Sequence, residues 1–241
     1  MAGGRNASVS FALADTDGVF QASARSDRRL KLQVVCRGQA YNYDMPNDGT
    51  PVRVPANMGD GEYAVRVMEQ VEGNTYATVE SGRRDVRLAS EYRPFLVPNV
   101  YCDYDAGSEC VGKAWDLVSK LGLDHADWAK EICSWVAANV SYDDEKARRL
   151  SATKNYVPDP DRTFAERSGV CFDYASLSCA MLRGVGIPTK LVTGYLTPDN
   201  LYHSWVVAHA GDAWRRYDPT LWSTGVDQPG KRYAYRDRFI F

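Results

Sequence analysis

Three residues in the second half of the chain, Cys171, His203 and Asp218, are of the types that act together in nucleophilic acyl transfer. A cysteine thiolate attacks an acyl carbon, an imidazole moves the proton, and a carboxylate orients the imidazole. Each residue alone has a structural explanation, since a cysteine near a helix start is usually inert and an aspartate before a proline often forms a turn. Their joint occurrence, in this order and in suitable local contexts, favours a cysteine-nucleophile triad.

The sequence around Cys171 predicts that this residue lies in the first turn of a helix. Gly169 allows a sharp backbone turn before it, and the helical pattern continues through Leu182 until Gly184 and residues 186–188 end it. The unpaired N–H groups and partial positive charge of a helix N-terminus favour a thiolate over a thiol. The same N–H groups can face the oxyanion that forms when an acyl carbon is attacked.

His203 and Asp218 fall on two strands that we expect to be antiparallel neighbours. The first strand runs over residues 202–207, and a hairpin turn at residues 210–212 leads into the second, over residues 214–219. The two side chains are therefore expected to pair across the strands, so that a helix-start cysteine faces a histidine oriented by a carboxylate.

The first hundred residues carry a different pattern, in which apolar and polar residues alternate with period two. Leu30, Leu32 and Val34, for example, alternate with polar neighbours, and turn signals rich in Gly, Asn and Asp separate such runs. Short alternating strands at this spacing predict an antiparallel β-sandwich.

After a proline-containing loop the pattern becomes helical, which places a domain boundary near residue 100. We expect an α+β protein with a β-sandwich accessory domain over residues 1–100. A catalytic domain over residues 101–241, with helices packed on an antiparallel sheet, is expected to follow.

Composition argues against several classes of function. The 241 residues include 29 basic and 31 acidic side chains without a basic stripe, so nucleic acid is not an expected partner. No stretch approaches the run of about 20 apolar residues that a membrane-spanning helix needs. The first ten residues lack the apolar region of a signal peptide, which leaves an intracellular protein or one whose leader was removed.

The cysteines predict neither a disulfide framework nor a metal site. No group of cysteine and histidine residues has zinc-ligand spacing, so no metal and no other cofactor is expected. Cys102 and Cys110 flank a short Gly/Ser/Asp segment and are able to pair if the protein is exported. Whether they do so is left open.

The segments around the three residues resemble the transglutaminase-like superfamily, a group of papain-related cysteine acyltransferases and peptidases. The resemblance extends from about residue 124 to residue 220. Its matching blocks are GVCFDYA at residues 169–175, GIPTK at 186–190 with GY at 194–195, HSW at 203–205 and YDPT at 217–220. It does not cover the predicted sandwich, although similar bacterial proteins often carry β-domains ahead of this core.

This resemblance implies a papain-like core and a role for each site residue. Cys171 would be the nucleophile, His203 the general base and then acid, and Asp218 the orienter of the imidazole. A second oxyanion donor is expected upstream, with Tyr142 as the first candidate and Trp135 as the second; a packing role for Tyr142 is the alternative.

Calcium, which animal transglutaminases of this superfamily require, is not expected here. The acidic residues at 143–145 and 159–161 are interpreted as solvated loop residues instead of ion ligands.

The predicted reaction is hydrolysis of a protein or peptide amide by a cysteine peptidase or amidase through a thioester. If a lysine amine meets the thioester in place of water, the same triad performs transamidation, which is the alternative. A non-catalytic cell-surface binding module is the second alternative. A cell-wall amidase of another papain-like family is disfavoured by the Tyr-Asp-Pro context at residues 217–219.

Four aromatic side chains are predicted to line a groove for an extended peptide, with a place in the core as the alternative for each. They are Tyr195, Tyr202, Trp205 and Trp222. Export to the cell surface suits the pairing of domains, but no residue identifies the compartment.

Overall fold

The computed structural model describes residues 8–13, 18–122, 124–152, 156–225 and 233–241. The chain divides into two compact units, Met1–Asn99 and Val100–Phe241, and each is described by itself below.

The first unit consists of antiparallel strands in two sheets. Its described strands are β1 (Ser8–Leu13), β2 (Val19–Arg25), β3 (Leu30–Cys36), β4 (Gln39–Met45), β5 (Val52–Pro55), β6 (Gly61–Glu72) and β7 (Thr75–Val86). One sheet has the order β1-β2-β5 and the other β4-β3-β6-β7. Every described pairing within these sheets is antiparallel.

Alternation along the strands creates the core of this unit. In β3, Leu30, Leu32 and Val34 are buried while the residues between them are partly exposed, because successive side chains of a strand point to opposite faces. The rings of Phe20 in one sheet and Tyr63 in the other have centroids 5.1 Å apart. The inner faces of the two sheets therefore pack together, which confirms the predicted antiparallel sandwich.

The second unit combines helices with an antiparallel sheet, as predicted. Its described helices are α1 (Glu109–Val118), α2 (His125–Asn139), α3 (Asp144–Ser151), α4 (Pro160–Glu166), α5 (Cys171–Gly184) and α6 (Pro219–Ser223). Its described strands are β8 (Ser141–Tyr142), β9 (Ser168–Gly169), β10 (Thr189–Thr197), β11 (Leu201–Ala210), β12 (Ala213–Tyr217) and β13 (Ala234–Ile240). The main sheet has the order β12-β11-β10-β13, and β8 and β9 form a short parallel pair.

Helix α5 is the central helix of this unit. Its residues from Asp173 to Arg183 are all buried, and it contacts α1, α2, α4, β10 and β11. A helix that is buried on every side belongs in an interior, not on a surface. Near its C-terminal end, the buried guanidinium of Arg183 donates to the carbonyl oxygens of Thr189, at 2.7 and 2.8 Å, and of Phe241, at 2.9 Å. These bonds anchor the helix to the main sheet and thereby help to fix the position of Cys171.

The acidic segments at residues 143–145 and 159–161 are not solvated loops, which corrects the interpretation from sequence. Asp143 is the N-cap of α3, where its carboxylate accepts from the backbone N–H of Lys146 at 2.8 Å. Asp159 is the N-cap of α4 and accepts from the backbone N–H of Arg162 at 3.0 Å. A carboxylate at the start of a helix satisfies amide groups that have no partner within the helix.

Gly194 in β10 allows a close approach within the main sheet. It lies opposite His203 in β11 and Asp237 in β13. A Cβ at this position would lie 2.7 Å from Cη2 of Trp205 and would also collide with the carbonyl oxygen of Arg236. The absence of a side chain therefore lets the Trp205 ring and β13 pack against the strand.

Gly194→Ala is expected to lower the free energy of unfolding by about 1–3 kcal/mol, because the added methyl group overpacks a rigid site. Gly112→Ala is the matched control. Gly112 is exposed in the middle of α1, nothing lies near its Cβ position, and alanine there is expected to raise the free energy of unfolding by about 0.5–1 kcal/mol. Urea denaturation of the three proteins measures both changes. A Gly194→Ala variant as stable as wild type would contradict the proposed constraint.

Candidate active site

The structure brings Cys171, His203 and Asp218 together. Cys171 is the first residue of α5, His203 lies in β11, and Asp218 follows β12 directly. The imidazole Nε2 of His203 lies 2.9 Å from Oδ2 of Asp218, and the Cys171 side chain lies close enough to the imidazole to raise its pKa. Because Nε2 faces the carboxylate, Nδ1 is the ring nitrogen left for the thiol. The imidazole therefore bridges the sulfur and the carboxylate.

Burial and hydrogen bonding act in opposite directions on the His203 imidazole, of which only 4% is exposed. Burial lowers the pKa of this group. Hydrogen bonds to Asp218 and Cys171, together with the negative charges of these partners, outweigh burial and raise the pKa to about 10. The imidazolium form is thus favoured at neutral pH, and a cation beside a cysteine stabilises the thiolate.

Asp218 has two roles that the sequence suggested separately. Its Oδ1 accepts from the backbone N–H of Leu221 at 3.1 Å, which makes Asp218 the N-cap of α6, with Pro219 in the first turn. Its Oδ2 accepts from His203 and, at 3.0 Å, from the hydroxyl of Tyr235. The turn chemistry expected of an Asp-Pro pair therefore holds the carboxylate that faces the imidazole.

The sequence interpretation missed Tyr235. It lies in β13 and pairs with Leu196 of β10, so it reaches Asp218 through sheet formation across 17 residues of sequence. Its ring packs edge-on against Trp205, with centroids 4.9 Å apart, and the guanidinium carbon of Arg216 lies 3.6 Å from its centroid. No motif or spacing in the sequence signals this contact.

The turn before Cys171 packs against a side chain of the first turn of α5. Asp173 Oδ2 accepts from the backbone N–H of Val170 at 2.8 Å, so its carboxylate satisfies an amide at this helix start. A Cβ on Gly169 would lie 2.6 Å from Cβ of Asp173. Gly169 therefore allows the backbone to approach the carboxylate closely, and the position of Cys171 is fixed by both contacts.

Tyr142, the first candidate for an oxyanion donor, lies near Cys171. It sits in β8, where it pairs with Gly169 of β9. Burial raises the pKa of its hydroxyl, and the negative charge of Cys171 raises it further, to about 12. The hydroxyl therefore remains protonated at neutral pH, as a hydrogen-bond donor must.

Trp135, the second candidate, packs against α4 and the residue that follows it. Its ring stacks on Phe164, with centroids 5.6 Å apart, and the guanidinium carbon of Arg167 lies 4.5 Å from its centroid. These contacts give Trp135 a place in helix packing, and the prediction that it donates to an oxyanion gains no support from them.

The structure does not bring Tyr195 and Tyr202 to the face of the sheet that carries His203. Tyr202 precedes His203 in a regular strand and so points to the opposite face, and Tyr195 is its cross-strand partner. The two rings meet edge-on with centroids 5.3 Å apart. Their place in a groove for an extended peptide stays a prediction, and their position on the face opposite His203 gives it no support.

Trp205 is 1% exposed, so the prediction that it lines a groove is wrong in this structure. It lies two residues after His203 on the same face, where its ring stacks against the imidazole at a centroid distance of 6.2 Å and meets Tyr235. Trp205 thus packs against the imidazole and helps to hold its orientation.

Trp222, in α6, is half-buried, and its ring packs edge-on against that of Tyr217 with centroids 6.1 Å apart.

Cys171 differs from the other cysteines in exposure. All six cysteines lie within the described ranges as free thiols; Cys171 is partly exposed and the other five are buried. Cys102 and Cys110 are therefore not paired in this structure. Burial raises the pKa of the Cys110 and Cys133 thiols well above the usual range, which makes them poor nucleophiles.

Within the part of the chain that the structure describes, no group of three or more His, Cys, Asp or Glu side chains is arranged to hold a metal ion. No helix in those residues is both long and apolar enough to cross a membrane.

Tyr235→Phe is expected to slow the alkylation of Cys171 at pH 7 by up to about tenfold. A hydrogen bond to a charged acceptor contributes about 1.5–3 kcal/mol, and only part of this bears on the orientation of the imidazole. The rate is measured by mass spectrometry of the Cys171 peptide after limiting iodoacetamide, with Tyr233→Phe as the matched control. Equal rates in Tyr235→Phe and wild type would show that Leu221 and His203 suffice to hold the carboxylate.

Comparison with known proteins agrees with the chemistry of these residues. Residues 117–219 match the model of the transglutaminase-like superfamily. The chain is 33% identical over 100 residues to a UPF0252 protein of Methanocaldococcus jannaschii, a match covering 39% of this chain and 27% of that protein. It is 31% identical over 115 residues to a UPF0252 protein of Archaeoglobus fulgidus, covering 42% and 37%. The matches thus span well under half of these relatives.

Two solved structures resemble the chain at low similarity. A candidate cysteine protease from Cytophaga hutchinsonii has a TM-score of 0.47 and 20% identity, covering 89% of this chain and 71% of that one. Red sea bream transglutaminase has a TM-score of 0.39 and 14% identity, covering 86% and 49%. At these scores the likeness says nothing about activity. The matched residues 117–219 include Cys171, His203 and Asp218, and over this segment the chain is similar to the transglutaminase-like superfamily.

Proposed function

We propose that this chain is a cysteine-nucleophile acyl-transfer enzyme that hydrolyses amides of proteins or peptides through a thioester. The observation that carries the proposal is the placement of the His203 imidazole between Cys171 and Asp218, with Nε2 at 2.9 Å from the carboxylate. A nucleophile, a base and an orienting carboxylate in contact are the components that this reaction requires.

The first half of the reaction forms the thioester. The Cys171 sulfur bonds to the amide carbon, and the carbonyl oxygen takes the negative charge while N–H groups at the start of α5 and the Tyr142 hydroxyl donate to it. The His203 imidazolium then gives its proton to the amide nitrogen. The C–N bond breaks, the amine leaves, and the acyl group remains on sulfur.

The second half releases the acyl group. His203, now neutral, takes a proton from a water molecule as the water oxygen bonds to the thioester carbon. The C–S bond breaks, the carboxylic acid leaves, and the thiolate–imidazolium pair is restored. A primary amine in place of water would give an isopeptide bond by the same steps, so the triad serves both reactions and the accessible acceptor decides between them.

A purely binding role explains the site less well. A module that only binds does not need a buried imidazole held between a partly exposed thiol and a carboxylate, nor a carboxylate fixed by Leu221 and Tyr235. Burial of such a group is costly unless its partners compensate for it. The arrangement therefore supports catalysis over binding alone.

Limiting iodoacetamide between about pH 5 and 8, a range in which ordinary thiols are mostly protonated, is expected to label Cys171 ahead of the five buried cysteines. Exposure alone would give part of this preference, so the decisive comparison is between variants. His203→Ala is expected to slow Cys171 labelling at pH 7 at least about tenfold, because the thiolate is the nucleophile and an ordinary thiol without a cationic partner is only a few per cent thiolate at that pH. His209→Ala, in the same strand, is the matched control and should leave the rate unchanged. A rate that does not depend on His203 would remove the basis of the proposal.

An assay that offers water and a primary amine together is expected to separate hydrolysis from transamidation. Incubation with casein and a labelled cadaverine should produce new chain termini without stable incorporation of the amine. Cys171→Ala should abolish the reaction, whereas Cys36→Ala in the first unit should not. Stable incorporation of cadaverine would overturn hydrolysis in favour of transamidation, and the thioester step would remain.

A further inference from the structure

A fully buried carboxylate lies beside the proposed nucleophile without belonging to the triad. Asp173 is in the first turn of α5, two residues after Cys171, and its side chain is 0% exposed. A buried carboxylate is costly unless partners with hydrogen-bond donors and positive charge surround it. Its partners therefore bear on the stability and charge of the site.

The partners of Asp173 come from α3 and from the chain between α3 and α5. Lys146 of α3 places Nζ 2.7 Å from Oδ2, which also accepts the backbone N–H of Val170 at 2.8 Å. The Tyr156 hydroxyl donates to Oδ1. The Lys146 ammonium also lies 4.7 Å from the centroid of the Tyr156 ring, so the lysine is held by a carboxylate and an aromatic face together.

The charges of Asp173 and Cys171 both act on one group of the site, the Tyr142 hydroxyl. Both Asp173 and Cys171, as well as Asp144 of α3, raise the pKa of the Tyr142 hydroxyl in β8, after burial as the largest cause. The sulfur is faced by His203 from β11 and by the start of its own helix. A carboxylate two residues away would oppose a second negative charge on the sulfur unless a cation balances it.

We propose that Lys146 and Tyr156 are positioning residues for the nucleophile. The Lys146 ammonium balances the charge of Asp173, and the Tyr156 hydroxyl holds its carboxylate in place. The carboxylate can then fix the turn at Gly169 and Val170 without destabilising a negative charge on the Cys171 sulfur. This inference rests on the proposed function of Cys171. It assigns to Lys146 an electrostatic role in the reaction, distinct from a role in stability alone.

The test is the pH at which the alkylation rate of Cys171 reaches half of its plateau, measured with iodoacetamide on the intact chain. Lys146→Met keeps the aliphatic stem and removes the charge. It is expected to move this midpoint upward by about one pH unit, the smaller end of the effect of a neighbouring charge. Asp173→Asn, which keeps an acceptor for the Val170 amide, is expected to move the midpoint downward. The double variant should return to within about a third of a pH unit of wild type.

Two further variants keep the test decisive if Asp173→Asn does not fold. Lys146→Arg retains the charge and is expected to restore the wild-type midpoint. Lys113→Met is the matched control, because Lys113 of α1 also lies over an aromatic ring, that of Trp135 at 5.6 Å, and it should not move the midpoint. A purely structural role for Lys146 would slow alkylation in Lys146→Met without moving the midpoint, and that result would overturn the inference.

The outcome also separates this inference from the proposed function. Alkylation of Cys171 that does not depend on His203 would mean that the proposed function fails. Alkylation that depends on His203, with an unchanged midpoint in Lys146→Met, would mean that only the role of Lys146 fails.

Discussion

Helix α5 carries a buried charged side chain near each of its ends, and the rest of the site depends on how these two charges are satisfied. Both have partners within the protein. At its C-terminal end Arg183 is bonded to backbone carbonyl oxygens of Thr189 and Phe241. At its N-terminal end Asp173 is bonded to Lys146 and to the Val170 amide. An anion in the first turn and a cation in the last turn also suit the helix dipole. The position of Cys171 follows from these fixed ends.

The other side chains around the imidazole also have structural roles in the fold. Asp218 caps α6, and its second oxygen is thereby directed at His203. Trp205 and Tyr235 form an aromatic layer behind the imidazole, with the Trp205 ring accommodated by the missing side chain of Gly194. Because Asp218 is a helix cap and His203 and Trp205 are buried, these side chains are held in place by the fold itself, which is the preorganisation that the proposed reaction would need.

Local sequence signals predicted the parts of this site that local structure determines. The glycine and the helical pattern around Cys171 indicated its place in a first turn. A hairpin of short span brought Asp218, just after the end of β12, beside the strand that carries His203. The contacts of Tyr235 and Lys146 depend instead on pairing between distant segments. No periodicity in the sequence predicts that β13 lies beside β10. The acidic residues at 143–145 likewise did not indicate that the next residue, Lys146, would contact a buried carboxylate.

The aromatic residues show a second limit of prediction from sequence, which concerns the burial of side chains. Period-two alternation determines which side chains of a strand share a face, but it does not say which face another element covers. Trp205 shares the face of His203 and is covered by Tyr235, whereas Tyr202 lies on the other face and is exposed. An expectation of aromatic groove residues could therefore not be resolved without the tertiary arrangement.

The unequal exposure of the cysteines has a consequence for the lifetime of the protein under oxidising conditions. Peroxide converts an accessible thiolate to a sulfenic acid, which is rescued when a second thiol condenses with it. The five other cysteines are buried, so the chain offers no exposed thiol of its own for this rescue. Oxidation at Cys171 would then continue to the irreversible sulfinic and sulfonic acids unless a small external thiol such as glutathione caps the sulfur first. Burial of the other five cysteines thus leaves Cys171 as the accessible thiol, and it also means that recovery of an oxidised Cys171 depends on thiols from outside the protein.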